Sequence, residues 1–141
     1  MDSGEIKKRL RHTIDRARRE TAARRQTTEQ ARADWERVLE HATPLCRQLV
    51  QALRAEGVLF TLGTPAGELR LDADRTPSDY IALSLDTFQR PATVVGHVSY
   101  VRGQRVVVNE HIVADATDIA ALTEERVLAF LLDAIVPFVE R

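Results

Sequence analysis

Two histidines, His97 and His111, are the side chains of this sequence whose spacing best suits chemistry. They fall in neighbouring segments with the alternation of β-strands, joined by a turn near Gly103. A loop with an odd number of residues, with Gly103 in the left-handed conformation, would put both imidazoles on one face, whereas a two-residue loop would separate them. We expect the odd loop because it gathers most of the apolar side chains on the other face. The histidine face would then carry a polar patch of His97, Ser99, Arg105, Asn109 and His111.

Such a patch could bind an anion or a metal ion, but an exposed polar sheet face is the simpler interpretation. Spacing supplies no third metal ligand beside the histidines. The carboxylates Asp72, Asp74 and Asp79 lack the central Gly and the terminal Glu of an EF-hand loop. Two of them also alternate with apolar residues, as a solvent-facing strand surface does. The sequence therefore predicts no metal site and no cofactor.

The single cysteine, Cys46, excludes a disulfide within the chain. It lies beside Leu45, and its one basic neighbour, Arg47, falls on another side of the helical wheel. We therefore expect a buried packing thiol and not a nucleophile. The sequence contains no GxSxG, P-loop, HExxH or paired-cysteine motif. No catalytic residue is predicted.

Charge is unevenly distributed along the chain, and its basic part is residues 7–25, KKRLRHTIDRARRETAARR. Nine of these nineteen residues are Lys or Arg and two are acidic, so the segment carries +7. The whole chain carries −1, so the remaining residues sum to −8. On a helical wheel the basic residues surround a narrow apolar sector. The candidate interaction residues are this sector and nearby arginines: Ile6, Leu10, Ile14, Ala17, Arg11, Arg18 and Arg25.

Two kinds of partner suit such a helix. Its basic residues could bind the phosphates of nucleic acid without regard to base sequence, but residues 1–34 contain no Phe, Tyr or Trp to stack on a base. Alternatively, the arginines could pair with acidic groups on this chain, on a second copy or on an acidic partner protein. The apolar sector favours a protein, and a second copy of the chain is the expected occupant.

The elements that position these residues begin with a long helical segment. The first 56 residues are rich in helix formers, and a heptad-like seam runs through thirteen positions, ten of them apolar. Thr43 and Pro44 suit the start of a new helix, so a break there is favoured, although the seam keeps its phase across Pro44 as a kinked continuous helix would. The seam has a polar middle between two apolar ends: Leu10, Ile14, Ala17, Thr21, Arg24, Thr28, Ala31, Trp35, Val38, Ala42, Leu45, Leu49 and Ala52.

From Val58 to Val113 the apolar period changes to two, in five short segments separated by turn residues. Their connections are too short for crossover helices, so the segments predict an antiparallel meander. Thr123 then caps a helix that extends to residue 136, before Pro137, and its nearly all-round apolar surface must be covered on more than one side. The predicted strands are 58–62, 68–74, 79–88, 92–101 and 104–113.

These elements predict an α+β fold: a long N-terminal helix, possibly broken or kinked near Pro44, a five-stranded antiparallel meander, and a C-terminal helix packed with the first helix on one sheet face. Residues 1–30 would form a basic helical extension and residues 31–141 a single domain, with a helix over 31–56, a meander over 58–113 and a helix over 123–136. No apolar run is long enough to span a membrane, and we expect a cytoplasmic protein. The Arg- and Ala-rich composition is typical of a GC-rich bacterial genome.

The function that the sequence favours is a non-enzymatic homo-oligomeric or partner-binding module, with a dimer expected and the basic helix as its interaction element. One alternative is a sequence-independent nucleic-acid-binding protein that clamps the backbone with this helix. A second alternative is a small ligand-binding protein or enzyme that uses the face with His97 and His111.

Overall fold

The computed structural model describes residues 1–89 and 91–140 and confirms the predicted fold class. A long helix is followed by five strands and a second helix, with short 3₁₀ turns before the second strand and before the last helix. The elements are α1 (Ser3–Ala55), β1 (Phe60–Gly63), β2 (Leu69–Ala73), β3 (Tyr80–Asp86), β4 (Thr93–Arg102), β5 (Arg105–Asp115) and α2 (Glu124–Val139). All five strands fall within the segments predicted from alternation, give or take two residues at the ends.

The sheet is an antiparallel meander in the order β1-β2-β3-β4-β5. Register pairs Leu71 with Ile81 and Ile81 with Val98, so apolar residues of successive strands share one face. Both helices pack on that face, which we call the core face, and the opposite face is the open face. The core joins α1, the sheet and α2 in one cluster: Ala31, Trp35, Val38, Ala42, Cys46, Val50, Phe60, Leu69, Leu71, Ile81, Leu83, Val94, Val98, Val127, Leu131, Ile135 and Phe138 are among its buried members.

The first helix is continuous through Pro44, so the predicted break is wrong. The lost backbone bond concerns the carbonyl of Glu40, one turn earlier, and both Glu40 and Pro44 lie on the exposed side of α1, where water can take the place of the missing donor. On the other side Ala42 and Cys46 are buried in the core. Burial of the same helix face before and after the proline outweighs the cost of about 3 kcal/mol that an interior proline carries.

The buried face of α1 begins at Ala31 and then drifts around the helix. Beyond Ala42 the fully buried positions are Cys46 and Val50, whereas Leu45 and Leu49, the predicted seam residues, are only partly buried. A straight helix of 3.6 residues per turn drifts in this way relative to a heptad repeat. The helix therefore lies on the sheet without supercoiling, and residues 3–30 continue it beyond the buried part.

The second helix begins as predicted and ends later. Thr123 is the N-cap, and its hydroxyl accepts a 3.1 Å bond from the Arg126 N–H, while Glu124 and Glu125 occupy the first turn. The helix does not end before Pro137 but continues to Val139. The carbonyl that loses its partner belongs to Asp133, which is exposed, so the proline is tolerated for the same reason as Pro44.

Two side chains of α1 tie the helix to the sheet and its loops. The Trp35 indole N–H donates to the Gly67 carbonyl at 2.9 Å. Near the C-terminal end of α1, the Arg54 guanidinium donates to Asp74 and to the Phe60 carbonyl, each at 2.8 Å. Thr61 donates to the other oxygen of Asp74 at 2.6 Å. The Thr61 bond first and the Arg54 bond second lower the pKa of Asp74 below its ordinary value.

We predict that Asp74→Asn destabilises the protein near neutral pH, because the amide cannot accept the ionic bond from Arg54. A carboxylate whose pKa is depressed by folding stabilises the fold above its unfolded pKa of about 4, and that contribution is lost as the pH falls through the lower folded value. Urea unfolding should therefore give a lower midpoint for the variant at neutral pH and converging midpoints in acid. Asp15→Asn, on the exposed extension, is the control. A difference in urea midpoint between wild type and Asp74→Asn that widened in acid would contradict the stabilising role of the Asp74 carboxylate.

Gly96 lies on the core face of β4 directly beneath Phe130 of α2. A Cβ atom at this position would sit 2.3 Å from the Phe130 Cζ. The glycine is therefore required for close approach and not for its backbone angles. The ring of Phe130 also makes an edge contact with His111, with ring centroids 6.2 Å apart.

We predict that Gly96→Ala costs about 1–3 kcal/mol of unfolding free energy, since the ring must move out of a packed position. In a Phe130→Ala background the same substitution should cost much less, because nothing then occupies the space. A double-mutant cycle in urea measures this coupling. Equal costs in the two backgrounds would show that Phe130 is not what excludes a side chain at position 96.

Candidate functional site

Residues 3–30 of α1, called the extension from here on, form a helix that begins with a well-made cap. The Asp2 carboxylate accepts a 2.8 Å bond from the Glu5 N–H. Glu5 stands in the first turn, where a negative charge suits the helix dipole, and pairs with Arg9 at 3.1 Å. Residues 1–27 are all exposed. The extension is therefore ordered by its own backbone bonds and by its continuity with the packed half of α1.

An apolar sector runs along one side of the extension, as predicted. Ile6 is 53% exposed, Leu10 57% and Ile14 38%. Ala17 is exposed on the same side. Because α1 is unbroken, these four residues line up over about three turns of helix. They form an exposed apolar surface that no described residue of this chain covers.

Three hydroxyl groups of the extension are already used by its own backbone. Thr13, Thr21 and Thr27 each donate to the carbonyl four residues earlier, at 2.9–3.0 Å. Such bonds leave the hydroxyl proton unavailable to a ligand. The ammonium and guanidinium groups are therefore the main donors that the extension can offer to a partner.

Nearly all of the basic side chains in residues 7–25 lack a carboxylate partner. In the described parts of the chain, Arg9 alone among them forms an ion pair, with Glu5. Arg24 makes a long 3.4 Å contact from its Nε to the Glu20 carbonyl of the same helix. The acidic residues elsewhere in the chain thus do not neutralise the extension.

The basic residues form a row on each side of the apolar sector. Arg11, Arg18 and Arg25 recur every seven residues along one side, so neighbours in this row are about 10 Å apart along the helix. Arg9 and Arg16 lie along the other side, which also carries the acidic Glu20. A ligand that covers the sector therefore meets positive charge on both of its edges.

A cleft of about 800 Å³ opens where the extension meets the body. One wall is α1 from Thr21 to Arg32, including Arg24 and Arg25, and the other is the loop between β3 and β4. The polar middle of the predicted seam lies on the α1 wall. In the sequence this stretch appears only as an interruption of the apolar seam. In the structure the polar residues that interrupt the seam line the cleft.

The loop between β3 and β4 carries Phe88, whose side chain is 96% exposed. The Asp86 carboxylate holds the turn by accepting bonds from the Phe88 N–H at 2.9 Å and from the Gln89 amide at 3.2 Å. Thr87 and Gln89, on either side of Phe88, both line the cleft. The exposed aromatic was not singled out from the sequence, because a lone Phe between turn residues gives no periodic signal.

The two histidines do not share a face, so the predicted polar patch is wrong. Arg102 pairs with Arg105 across a two-residue loop, and Gly103 has the expected positive φ of 65°. His97 pairs with Glu110 on the open face, whereas His111 pairs with Gly96 on the core face. Ser99 shares the open face with His97, while Arg105 and Asn109 lie on the other side with His111.

The physical reason is that β5 is an edge strand that the helices cover only at one end. Without a buried face to fix the alternation of Val106 and Val108, the tight two-residue loop sets the register. These two residues and Ile112 are more than half exposed on the open face. A bulge then brings Val113 and Ala114 into the core.

The remaining candidates for chemistry have structural roles. Asp74 is paired with Arg54, and the buried Asp79 accepts a 3.1 Å bond from the Val101 N–H. Within residues 1–89 and 91–140 no three His, Cys, Asp or Glu side chains are arranged to hold a metal ion. Cys46 is fully buried, and desolvation raises the pKa of its thiol to about 11.

No family model, curated protein or solved structure matches this chain. Among the described helices, none combines the length and apolar character needed to cross a bilayer. The extension and the adjoining cleft, with their exposed apolar sector and their basic side chains, form the candidate functional site.

We predict that Cys46 resists thiol reagents in the folded protein, because the reactive thiolate is both buried and disfavoured at neutral pH. Ellman's reagent should react slowly in buffer and rapidly in denaturing urea, with one equivalent of thiol released. Since the rate in buffer then reports opening of the core, it should rise for Gly96→Ala and stay unchanged for Asp15→Asn. Immediate reaction of the native protein would show an accessible, activated cysteine.

Proposed function

We propose that this protein is a non-enzymatic protein-binding module whose extension docks on an acidic partner protein. The observation that carries the proposal is the exposed sector of Ile6, Leu10 and Ile14 between two rows of basic side chains. An apolar strip rimmed by charge is the usual form of a helical interaction surface. The partner that fits it has apolar side chains in the centre and carboxylates along both edges.

Charge favours an acidic partner over the second copy expected from the sequence. Two extensions packed through their apolar sectors would bring their flanking rows together. In one orientation Arg11 and Arg18 would face their own equivalents, and in the other they would face the edge that carries Arg9 and Arg16 together with one acidic residue, Glu20. Like charges at these flanking positions oppose helix pairing, whereas Asp or Glu there would favour it.

Nucleic acid is the second candidate, because the unpaired cations of the extension could also neutralise phosphates. Such binding would depend on net charge and would have no use for the apolar sector. Binding of a protein partner would depend on both the net charge and the apolar sector. The two candidates therefore differ in their sensitivity to the apolar residues.

The body of the molecule supports an interaction role over a catalytic one. Its single thiol is buried with a raised pKa, and its two sheet histidines lie on opposite faces. Asp74 and Asp79 are held in structural hydrogen bonds. The groups that sequence reasoning considered for chemistry are thus separated from one another, and the exposed groups of the extension are adjacent.

A pair of charge-matched variants tests the proposal. Leu10→Glu with Ile14→Glu places two negative charges in the sector, and His12→Glu with Ala23→Glu places two on the opposite side of the same helix. The probe is a labelled synthetic helix with a leucine seam and Glu along both edges, and fluorescence anisotropy measures its binding. We predict at least a tenfold loss of affinity, about 1.4 kcal/mol, for the sector variant and a smaller loss for the control.

Other outcomes would redirect the assignment. If both variants lost affinity equally for duplex DNA and the wild type ignored the helical probe, the nucleic-acid candidate would replace the proposal. Light scattering on the same proteins examines self-association against the chain mass of 15.9 kDa. A dimer that the sector variant alone dissociates would assign the sector to a second copy.

A further inference from the structure

The cleft between α1 and the β3–β4 loop continues the extension's binding surface into the body. The apolar sector ends at Ala17, and the next seam positions on the same side are Thr21, Arg24 and Thr28, all of which line the cleft. Leu10 and Thr28 are about 27 Å apart along an unbroken helix. A ligand that lies along the sector therefore enters the cleft without changing direction.

The charged donors of the cleft are mainly arginines, and Thr28, Thr87 and Gln89 add neutral polar groups to its lining. Arg24, Arg25 and Arg32 line it, against one carboxylate, Glu29. None of the three arginines forms an ion pair with any residue that the structure describes. The hydroxyls of Thr21 and Thr27 donate to helix carbonyls. The complementary ligand is rich in acceptors, and carboxylates match the guanidinium fork in two-point pairs.

The other wall of the cleft is partly apolar. Pro91 and Ala92 line it, and Phe88, whose exposed side chain is not part of the lining, lies in sequence between the lining residues Thr87 and Gln89. A purely ionic ligand would leave these surfaces unused, whereas a peptide with one apolar side chain among its acidic residues would cover them. The volume of about 800 Å³ lies within the usual range of ligand pockets, about 300–1,000 Å³.

We propose that this cleft binds an acidic segment, with at least one apolar residue, that continues the partner helix docked on the extension. The inference rests on the proposed function for the identity of the partner and adds a second, localised contact. In this arrangement the extension selects an amphipathic helix, and Arg24, Arg25 and Arg32 select the acidic sequence that adjoins it. Phe88 provides the apolar contact at the edge of the cleft.

Four labelled probes test the cleft on the full-length protein: the acidic amphipathic helix alone, the same helix with a short Glu- and Leu-containing tail at its N-terminus, the same helix with this tail at its C-terminus, and the tail alone. Arg24→Glu with Arg32→Glu should lower the affinity for the tailed helix at least tenfold, since two guanidinium groups that pair with carboxylates of the tail are replaced by like charges. The same variant should change the affinity for the untailed helix much less. Phe88→Ala should weaken only the tailed helix.

The matched control is Arg19→Glu with Arg47→Glu, which makes the same change of charge on exposed parts of α1 away from the cleft. Equal losses in this control and in the cleft variant would reduce the effect to general electrostatics and overturn the inference. So would a wild-type protein that gains no affinity from either tail. If the tail alone bound with a dependence on Arg24 and Arg32 but the sector variant did not matter, the cleft would stand and the proposed docking on the extension would fail.

Discussion

The architecture depends on the packing of one face of α1 against the sheet from Ala31 to Val50. This packing carries the helix through Pro44 without a break, because Val38 and Ala42 before the proline and Cys46 and Val50 after it are buried in one core. The direction of the packed half fixes the direction of the extension. Nucleating an isolated helix is unfavourable in water, so the extension gains its order by propagation from a helix that the core has already nucleated.

Because both helices pack on the core face, the two faces of the sheet differ in burial and composition. The core face is filled so closely that Gly96 has no room for a methyl group beneath Phe130. The open face carries polar residues toward β2 and exposed valines toward β5, including Val106 and Val108. The residues whose types could support chemistry serve instead as helix caps, in structural hydrogen bonds or in core packing. The exposed basic side chains between residues 7 and 25 lie on the extension, away from these packed groups.

Local sequence signals predicted most of the fold. Alternation located all five strands, Thr123 was correctly identified as an N-cap, and the apolar sector was found from its spacing. The errors arose where long-range packing decides the outcome. Thr43 and Pro44 are residues typical of a helix start. The helix continues through them because the residues on both sides are buried in the core. The β4–β5 register could not be settled because an edge strand lacks a buried face, and turn chemistry permits either loop. The cleft was invisible in the sequence because its walls come from segments about sixty residues apart.

The position of Trp35 makes its fluorescence a signal for the body of the molecule and not for the extension. It is the only tryptophan, it is buried where the extension leaves the body, and its indole bonds the Gly67 carbonyl across a long stretch of sequence. Its fluorescence therefore responds when the core opens and is insensitive to fraying of the extension, which contains no aromatic chromophore of that kind. Far-ultraviolet circular dichroism sees both parts because both are helical. Comparing the two signals during thermal unfolding separates loss of the extension from loss of the body within a single unlabelled chain.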